Sequence, residues 1–289
     1  MTAGSLADLI PYVSSRLFRP DFLRLVAANA HRPFLDGIGL RRLLGAEATV
    51  RDLFEQVYDG MRRAYRAEYL YKNEVLRRIV IARHDPNRTT VLLEKPIARW
   101  ASRLDMLVVN DTTTAYEIKT DHDDLGRVRK QTDLALEAFD RVYVACSERW
   151  VPAVKEAVDD RVGIVAMRRK GTFTRIRPAE PNAHKVDPAA VFPLLRQTEY
   201  LAAIEDLIGP VPPVDDVTRY GICFELFKGL SGTAAHSVLL AALKRRFLTG
   251  TDAQQLRGLP YSLAHLYYQA TARERQHLFS PAVLGRTVG

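Results

Sequence analysis

The sequence predicts an α/β fold in which a sheet-forming central segment lies between two mainly helical regions. Three observations lead to this prediction. Two short apolar runs, 104–109 and 115–119, flank a polar connection of Asn, Asp and Thr, which is the pattern of a β-hairpin. Helical periodicity precedes and follows this hairpin. Prolines interrupt the periodic segments toward both ends of the chain.

The central segment is predicted to run as helix, three strands, helix and strand. Its first helix covers 67–83 and ends in the loop 84–88, where Pro and Asn disfavour further helix. One strand precedes the hairpin, and a helix that begins at Asp123 or Asp124 and ends near Phe139 follows it. The remaining predicted elements are a strand at 89–94, a strand at 141–146, a helix at 151–158, and strands at 162–167 and 173–177, the last two joined by a basic turn at 168–171.

The two ends of the chain are predicted to be helical. Residues 1–66 contain prolines between helical patterns, and Thr49 with Asp52 resembles a capping box. The proline-rich segment 178–193 is predicted to be a linker, and apolar helices follow it, including one at 234–248. We therefore expect three regions, at 1–66, 67–180 and 181–289.

Composition indicates an ordinary globular protein with an excess of positive charge. Of the 289 residues, 47% are hydrophobic and 26% are charged, and the net charge is +8. Residues 61–100 hold ten Lys or Arg against four Asp or Glu, which favours an anionic polymer as partner. The two cysteines have no zinc-ligand spacing, and no apolar stretch is long enough to span a membrane. We expect a cytoplasmic protein without a membrane partner.

Three charged residues interrupt the predicted hairpin. Glu117 and Lys119 are two positions apart on one strand and so leave the same face, and pairing brings Asp105 beside them. Strands are depleted in such residues. Paired carboxylates suit a hard divalent cation, and a lysine can stabilise developing charge on a phosphate. The alternative is an exposed edge hairpin with a surface Glu–Lys pair.

These residues carry a resemblance to a known family. Asp105 followed by Glu117-Ile118-Lys119 resembles the PD-(D/E)XK nuclease signature, with Leu104 where that signature has Pro. Two further motifs, given at the end of this paragraph, make the resemblance more specific: over residues 65–180 the chain resembles the bacterial sce7726 family. The resemblance implies a restriction-endonuclease-like αβββαβ core with a mixed central sheet. The two further motifs are Glu68-Tyr69-x-Tyr71-Lys72-Asn73 and Asp123-x-Leu125-x-Arg127-x-x-x-Gln131.

The resemblance also implies roles for individual residues. The expected metal ligands are Asp105, Glu117, the Ile118 carbonyl and Glu68, and Lys119 would position the attacking water or neutralise charge. Glu74 is the alternative acid on the same helix as Glu68. Glu94 lies where the resemblance also places an acid, and both a structural role and a ligand role are left open for it. The expected supporting residues, which would contact phosphate or order the Lys119 side chain, are Lys72, Asn73, Arg127 and Gln131.

The resulting prediction is a Mg²⁺- or Mn²⁺-dependent nuclease that hydrolyses nucleic acid, with DNA as the favoured polymer. Metal-assisted attack of water on a phosphodiester is the expected chemistry. A role in host defence or mobile-element biology is suggested by the type of nuclease alone, and no individual residue indicates it. The alternative is a catalytically weak nucleic-acid-binding or regulatory module of a larger complex. A homodimer or a partner protein is left open.

Overall fold

A mixed six-stranded sheet forms the centre of the molecule. The computed structural model describes residues 6–40, 44–45, 47–97, 102–169, 171–247 and 253–289. The strand order follows the chain, with β3, β4 and β5 parallel and the outer pairs β1–β2, β2–β3 and β5–β6 antiparallel. This confirms the predicted α/β class. The strands are β1 Thr90–Ile97, β2 Ser102–Val109, β3 Thr113–Lys119, β4 Arg141–Ser147, β5 Gly163–Met167 and β6 Phe173–Arg177.

Helices precede, interrupt and follow the strands. The order from α5 to β4 is helix, three strands, helix and strand, as the sequence predicts. The described helices are α1 Leu6–Leu17, α2 Pro20–Ala27, α3 Arg32–Gly37, α4 Val50–Ala64, α5 Glu68–Val75, α6 Val128–Ala138, α7 Val151–Ala157, α8 Pro188–Val191, α9 Gln197–Leu207, α10 Asp216–Lys228, α11 Gly232–Phe247, α12 Ala253–Gly258, α13 Ala264–Gln269, α14 Ala272–Leu278 and α15 Pro281–Leu284.

The predicted hairpin is formed by β2 and β3. Its turn is held by Asn110, whose amide donates to the Thr112 carbonyl and whose side-chain oxygen accepts from the Thr112 amide. Met106 pairs with Tyr116, so the next position along the register brings Asp105 beside Glu117. β3 is buried along nearly its whole length because it lies inside the sheet, between β2 and β4.

Two apolar layers cover the two faces of the sheet. Alternate strand residues divide between them, as for Met106 on one side and Leu107 on the other. The first layer is packed against α1, α4, α5 and the last helices of the chain, and the second against α6, α10 and α11. The C-terminal region thus contributes to both faces, and the division at 66 and 180 stays a prediction.

The predicted linker at 178–193 is wrong. The segment forms three short helical pieces, Ala183–Lys185, α8 and Phe192–Leu194, and Phe192 is buried. The side-chain amide of Asn182 is buried and donates to the Leu136 and Phe139 carbonyls. Pro188 begins α8, where the missing N–H has no helical partner to lose. The prolines therefore start ordered turns.

Two predicted helix boundaries also differ from the structure. The helix after the hairpin begins at Val128, because Asp123 and Asp124 instead accept from the loop amides of Thr120 and Gly126. The predicted helix at 67–83 is α-helical only to Val75 and continues as a π-helix, Leu76–Ile81. The capping box at the start of α4 is confirmed. Lys170 in the predicted basic turn and Leu248 lie outside the described residues.

Among the described residues, no helix combines the length and apolar character needed to cross a bilayer.

Candidate active site

A cleft of about 550 Å³ opens where the start of α5 meets β1 and the loop after β3. Glu68, Lys72 and Glu94 line it, together with Tyr65 and His122. Helix α1 forms another wall, so the N-terminal region contributes shape to the cleft. Asp105 lies 3.6 Å from the Nζ atom of the lining residue Lys72, and Lys119 directly precedes the lining residue Thr120.

Asp105 on β2 lies next to Lys72, a residue that lines the cleft. Its Oδ2 accepts from the backbone N–H of Ile118 at 2.8 Å, and its side chain is only 17% exposed. Burial raises its pKa to about 6, although the Lys72 charge and the Ile118 hydrogen bond act in the opposite direction. A partly buried carboxylate with a raised pKa is stabilised when it binds a further cation or a proton.

Lys72 connects three carboxylates. Its Nζ lies 2.5 Å from Glu68 Oε1 and 3.6 Å from Asp105 Oδ1, and it also donates to Glu94. Burial would lower the pKa of Lys72, but the Asp105 and Glu68 charges outweigh that effect and raise it. The Lys72 side chain is only 5% exposed. Its ammonium therefore stays charged and partly neutralises the cluster.

Glu94, for which the sequence left a structural and a ligand role open, belongs to the carboxylate cluster. One carboxylate oxygen each from Glu68, Glu94 and Asp105 lie within 4.8 Å of one another, a group that can hold a metal ion. Glu94 has a φ of 54°, a left-handed conformation that costs free energy for a non-glycine residue inside a strand. The sequence signal for Glu94 was its position as an acid near the end of the predicted first strand.

Glu117 and Lys119 on β3 form a buried pair on the face that α6 covers. Lys119 Nζ lies 3.0 Å from Glu117 Oε1 and donates to Gln131 Oε1 at 2.9 Å. Gln131 therefore contacts the Lys119 side chain directly. Burial and the Asp105 charge raise the pKa of Glu117 to about 7, and Lys119 opposes this rise.

Asn73 and Arg127 are not brought to the carboxylates. Asn73 is fully buried and donates to the Tyr58 hydroxyl and the Tyr261 carbonyl. Arg127 is exposed at the start of α6, where its carbonyl accepts from the Gln131 amide. The Ile118 contact that the structure shows is made by its N–H, and a ligand role for its carbonyl stays a prediction.

Glu74, the alternative acid, belongs to a separate buried network. Its two oxygens accept from the Tyr58 and Tyr261 hydroxyls, each at 2.9 Å, and from Arg78 Nε at 2.5 Å. Its side chain has no exposed surface. Between the two acids on this helix, the geometry therefore selects Glu68 for the cleft.

His265 also lines the cleft, from α13. Burial and the nearby Lys72 charge lower its pKa to about 3, so the ring is neutral near pH 7. Within the described chain, neither ring nitrogen has a hydrogen-bond partner. Both nitrogens are buried, so the fold leaves one donor and one acceptor of this ring unsatisfied. An isolated histidine in a helical pattern gives no sequence signal for this position.

The donor set suits a divalent cation. Glu68, Glu94 and Asp105 supply convergent carboxylate oxygens, which Mg²⁺ and Mn²⁺ prefer, and Lys72 shows that the cluster already attracts a cation. Glu117 adds a neighbouring carboxyl whose pKa is raised by the Asp105 charge as well as by burial. The residues present therefore fit a magnesium or manganese site, provided that the cation displaces the Lys72 ammonium from the carboxylates.

The fold and the acidic cleft define an α/β protein with a charged site at one end of a mixed sheet. The family model described as Bacteriophage P4 protein cII matches residues 61–257, more than half of the chain. The chain belongs to this family. One curated relative, "Protein cII" of Enterobacteria phage P4, is 27% identical over 110 residues. The alignment covers 38% of this chain and 38% of that protein's length. No solved structure matches.

Proposed function

We propose that this protein is a divalent-cation-dependent nuclease of the PD-(D/E)XK type, as its resemblance to the sce7726 family suggests. The observation that carries the proposal is the convergence of Asp105, Glu117 and Lys119 on neighbouring strands, with Asp105 in contact with Lys72, which lines an open cleft. The Glu117 carboxyl is buried and that of Asp105 is partly buried, and both have raised pKa values, which is a property of functional sites. The αβββαβ order of elements supports the same assignment.

The protein residues divide the work between holding a cation and stabilising the phosphate. Asp105, Glu68 and Glu94 would hold Mg²⁺ or Mn²⁺, with Glu117 beside them, and the bound cation would supply Lewis acidity toward the phosphate. Lys119, fixed by Glu117 and Gln131, would neutralise charge that develops on the phosphate oxygens. The proposed substrate is nucleic acid, with DNA favoured.

A second candidate function is a nucleic-acid-binding module without significant catalysis. One observation favours it: Lys72 pairs with three carboxylates and so offsets their charge within the protein itself. A charge cluster that is neutralised internally can persist without a metal ion. The name of the phage relative states no activity, so it does not distinguish the two candidates.

Cleavage of labelled single-stranded DNA, duplex DNA and RNA in Mg²⁺, Mn²⁺ or EDTA tests the proposal. We expect cleavage that requires the cation and falls by about 10²–10³-fold in Asp105→Asn and in Lys119→Met. Matched controls are Asp206→Asn and Lys155→Met, which change exposed residues outside the lining of the cleft. Equal activity in all four variants would reject the site. Binding of nucleic acid without cleavage by the wild type would favour the second candidate.

A further inference from the structure

A second cleft, of about 840 Å³, is lined almost entirely by arginine. We call Arg62, Arg63, Arg66 and Arg169 the arginine cleft, and Asp59 is the one acid among the described residues that line it. Arg62 and Arg63 lie in the last turn of α4, and Arg66 follows that helix. Arg169 comes from the turn between β5 and β6. Two distant parts of the chain thus supply the same type of side chain to one concave surface.

The two parts of the arginine cleft are tied together. Arg66 Nη2 donates to the Met167 carbonyl at 3.1 Å, which connects the end of α4 to β5. The turn that carries Arg169 is closed by the Arg168 amide on the Thr172 carbonyl. Gly171 has a φ of +74° in this turn, and a Cβ there would lie 3.6 Å from Arg62 Nε. These contacts hold Arg62 and Arg66 against the end of β5 and the turn that follows it.

The positive charge in the arginine cleft is only partly balanced. Arg62 lies 3.9 Å from Asp59, and Arg66 Nε lies 3.2 Å from Asp121. Arg63 and Arg169 are exposed, and among the described residues neither has an ion-pair partner. Arginines in the last turn of a helix also complement its dipole, but that explanation does not extend to Arg169. A concave surface with excess positive charge concentrates anions.

The arginine cleft adjoins the carboxylate site. Tyr65, between the cleft arginines in sequence, packs its ring against His122 with centroids 5.0 Å apart, and both residues line the cleft that holds Glu68. Arg66 contacts Asp121, two residues after Lys119. His122 is exposed and Tyr65 is half-buried, so the pair offers aromatic surface between the two clefts.

We propose that the arginine cleft binds the phosphates of a nucleic-acid strand that leaves the carboxylate site across Tyr65 and His122. Arginine binds phosphate through paired N–H donors, and a base can stack on an aromatic side chain without sequence preference. The proposal rests on the proposed function for its choice of polymer. It adds the direction in which the strand leaves the carboxylate site and the residues that hold it.

Binding of a fluorescein-labelled 20-nucleotide single-stranded DNA in EDTA, measured by anisotropy at several salt concentrations, tests the proposal. We expect Arg63→Gln/Arg169→Gln to weaken binding by about tenfold. The slope of log affinity against log salt should become shallower by about 1.4, because two phosphate contacts of about 0.7 each are lost. The matched control Arg245→Gln/Arg273→Gln, which removes two exposed charges elsewhere, should bind like the wild type.

Two further measurements keep the outcome clear. Arg63→Lys/Arg169→Lys should retain most of the affinity and the salt slope, since it keeps both charges, and the melting temperature of each variant reports folding. Absence of binding by the wild type, or equal loss in the cleft and control variants, would overturn the proposal. The binding assay contains no cation, so its result does not depend on catalysis. If binding depends on the arginine cleft but the protein shows no cleavage in Mg²⁺ or Mn²⁺, the arginine cleft is supported and the nuclease is rejected.

Discussion

Helix α5 carries two acidic networks that differ in how their charge is satisfied. At its end, Glu74 is fully buried and accepts from two tyrosine hydroxyls and Arg78. At its start, Glu68 is 57% exposed and shares Lys72 with Glu94 and Asp105. The first network is closed, with neutral and charged donors arranged around one carboxylate. The second opens to a cleft and places one lysine among several carboxylates.

The difference separates the acid that stabilises the fold from the acids that the proposed function would use. A buried carboxylate surrounded by donors stabilises the fold only while all partners are present. A carboxylate whose pKa is raised, as for Asp105 and Glu117, lowers the free energy of unfolding while it is ionised. Such a cost persists more readily where function requires the charge. We therefore expect substitutions in the two networks to differ in how much stability they cost and in how that cost depends on pH.

The largest expected effect is on stability, from Glu74→Ala. Removing this carboxylate leaves Arg78 and two tyrosine hydroxyls without their acceptor, so the free energy of unfolding should fall by about 3–5 kcal/mol. Glu68→Ala, the matched change at the exposed start of the helix, should cost less than about 1 kcal/mol. Urea denaturation of both variants measures the contrast. Similar losses in the two would contradict it.

The pH dependence of stability should come from the other network. The folded-state pKa values of Asp105, about 6, and Glu117, about 7, exceed ordinary carboxyl values near 4. Between these limits the folded protein binds more protons than the unfolded chain, so stability falls as pH rises from 4 to 7. Together the two shifts amount to about 4.5 pKa units, which at about 1.4 kcal/mol per unit sets a bound of about 6 kcal/mol on the combined loss.

Asp105→Asn and Glu117→Gln isolate this contribution from other titrating groups. Each variant should show a smaller decline in unfolding free energy between pH 4 and pH 8 than the wild type does, measured by urea denaturation. Glu74→Gln provides the comparison from the closed network. If the unfolding free energy of all three variants depends on pH as that of the wild type does, the decline in stability does not come from Asp105 and Glu117.

Added Mg²⁺ should stabilise the open network. At about ten times its dissociation constant, a bound cation adds about 1.4 kcal/mol, or a few degrees of melting temperature. Lys72→Met should melt lower than the wild type without metal, because three carboxylates then lack their shared ammonium. It should also gain more from Mg²⁺, because no ammonium competes. Loss of stability without recovery in Mg²⁺ would identify Lys72 as a purely structural partner.

The sequence predicted much of the fold and the centre of the site. The hairpin, the order of elements and the position of Asp105 beside Glu117 follow from local patterns and strand periodicity. The prolines of 178–193 misled the prediction, because Pro188 begins a helix and the segment is anchored by contacts that are distant in sequence, such as Asn182 on Leu136. Local pattern carries no information about such contacts.

The remaining site residues depend on tertiary structure. Glu94 joins the cluster through strand pairing and an unusual backbone conformation, and His265 arrives from nearly 150 residues beyond Glu117. Asn73 shows the converse, since a motif position next to Lys72 points into the buried network of Tyr58 and Tyr261. On a helix, adjacent residues face different directions, so neighbours in a motif need not share a site.

The smallest expected effect distinguishes positioning from binding along α6. Gln131 accepts from Lys119 Nζ, so Gln131→Ala should lower kcat by about tenfold, a change of about 1.4 kcal/mol, while Lys119 keeps its contact with Glu117. Gln131→Glu, which retains an acceptor, should recover part of the rate. Arg127→Ala, one turn earlier on the exposed surface, should instead raise KM and leave kcat near the wild-type value. If both alanine variants changed only KM, Gln131 would act with Arg127 in binding the substrate phosphate. The orientation of Lys119 would then depend on Glu117 alone.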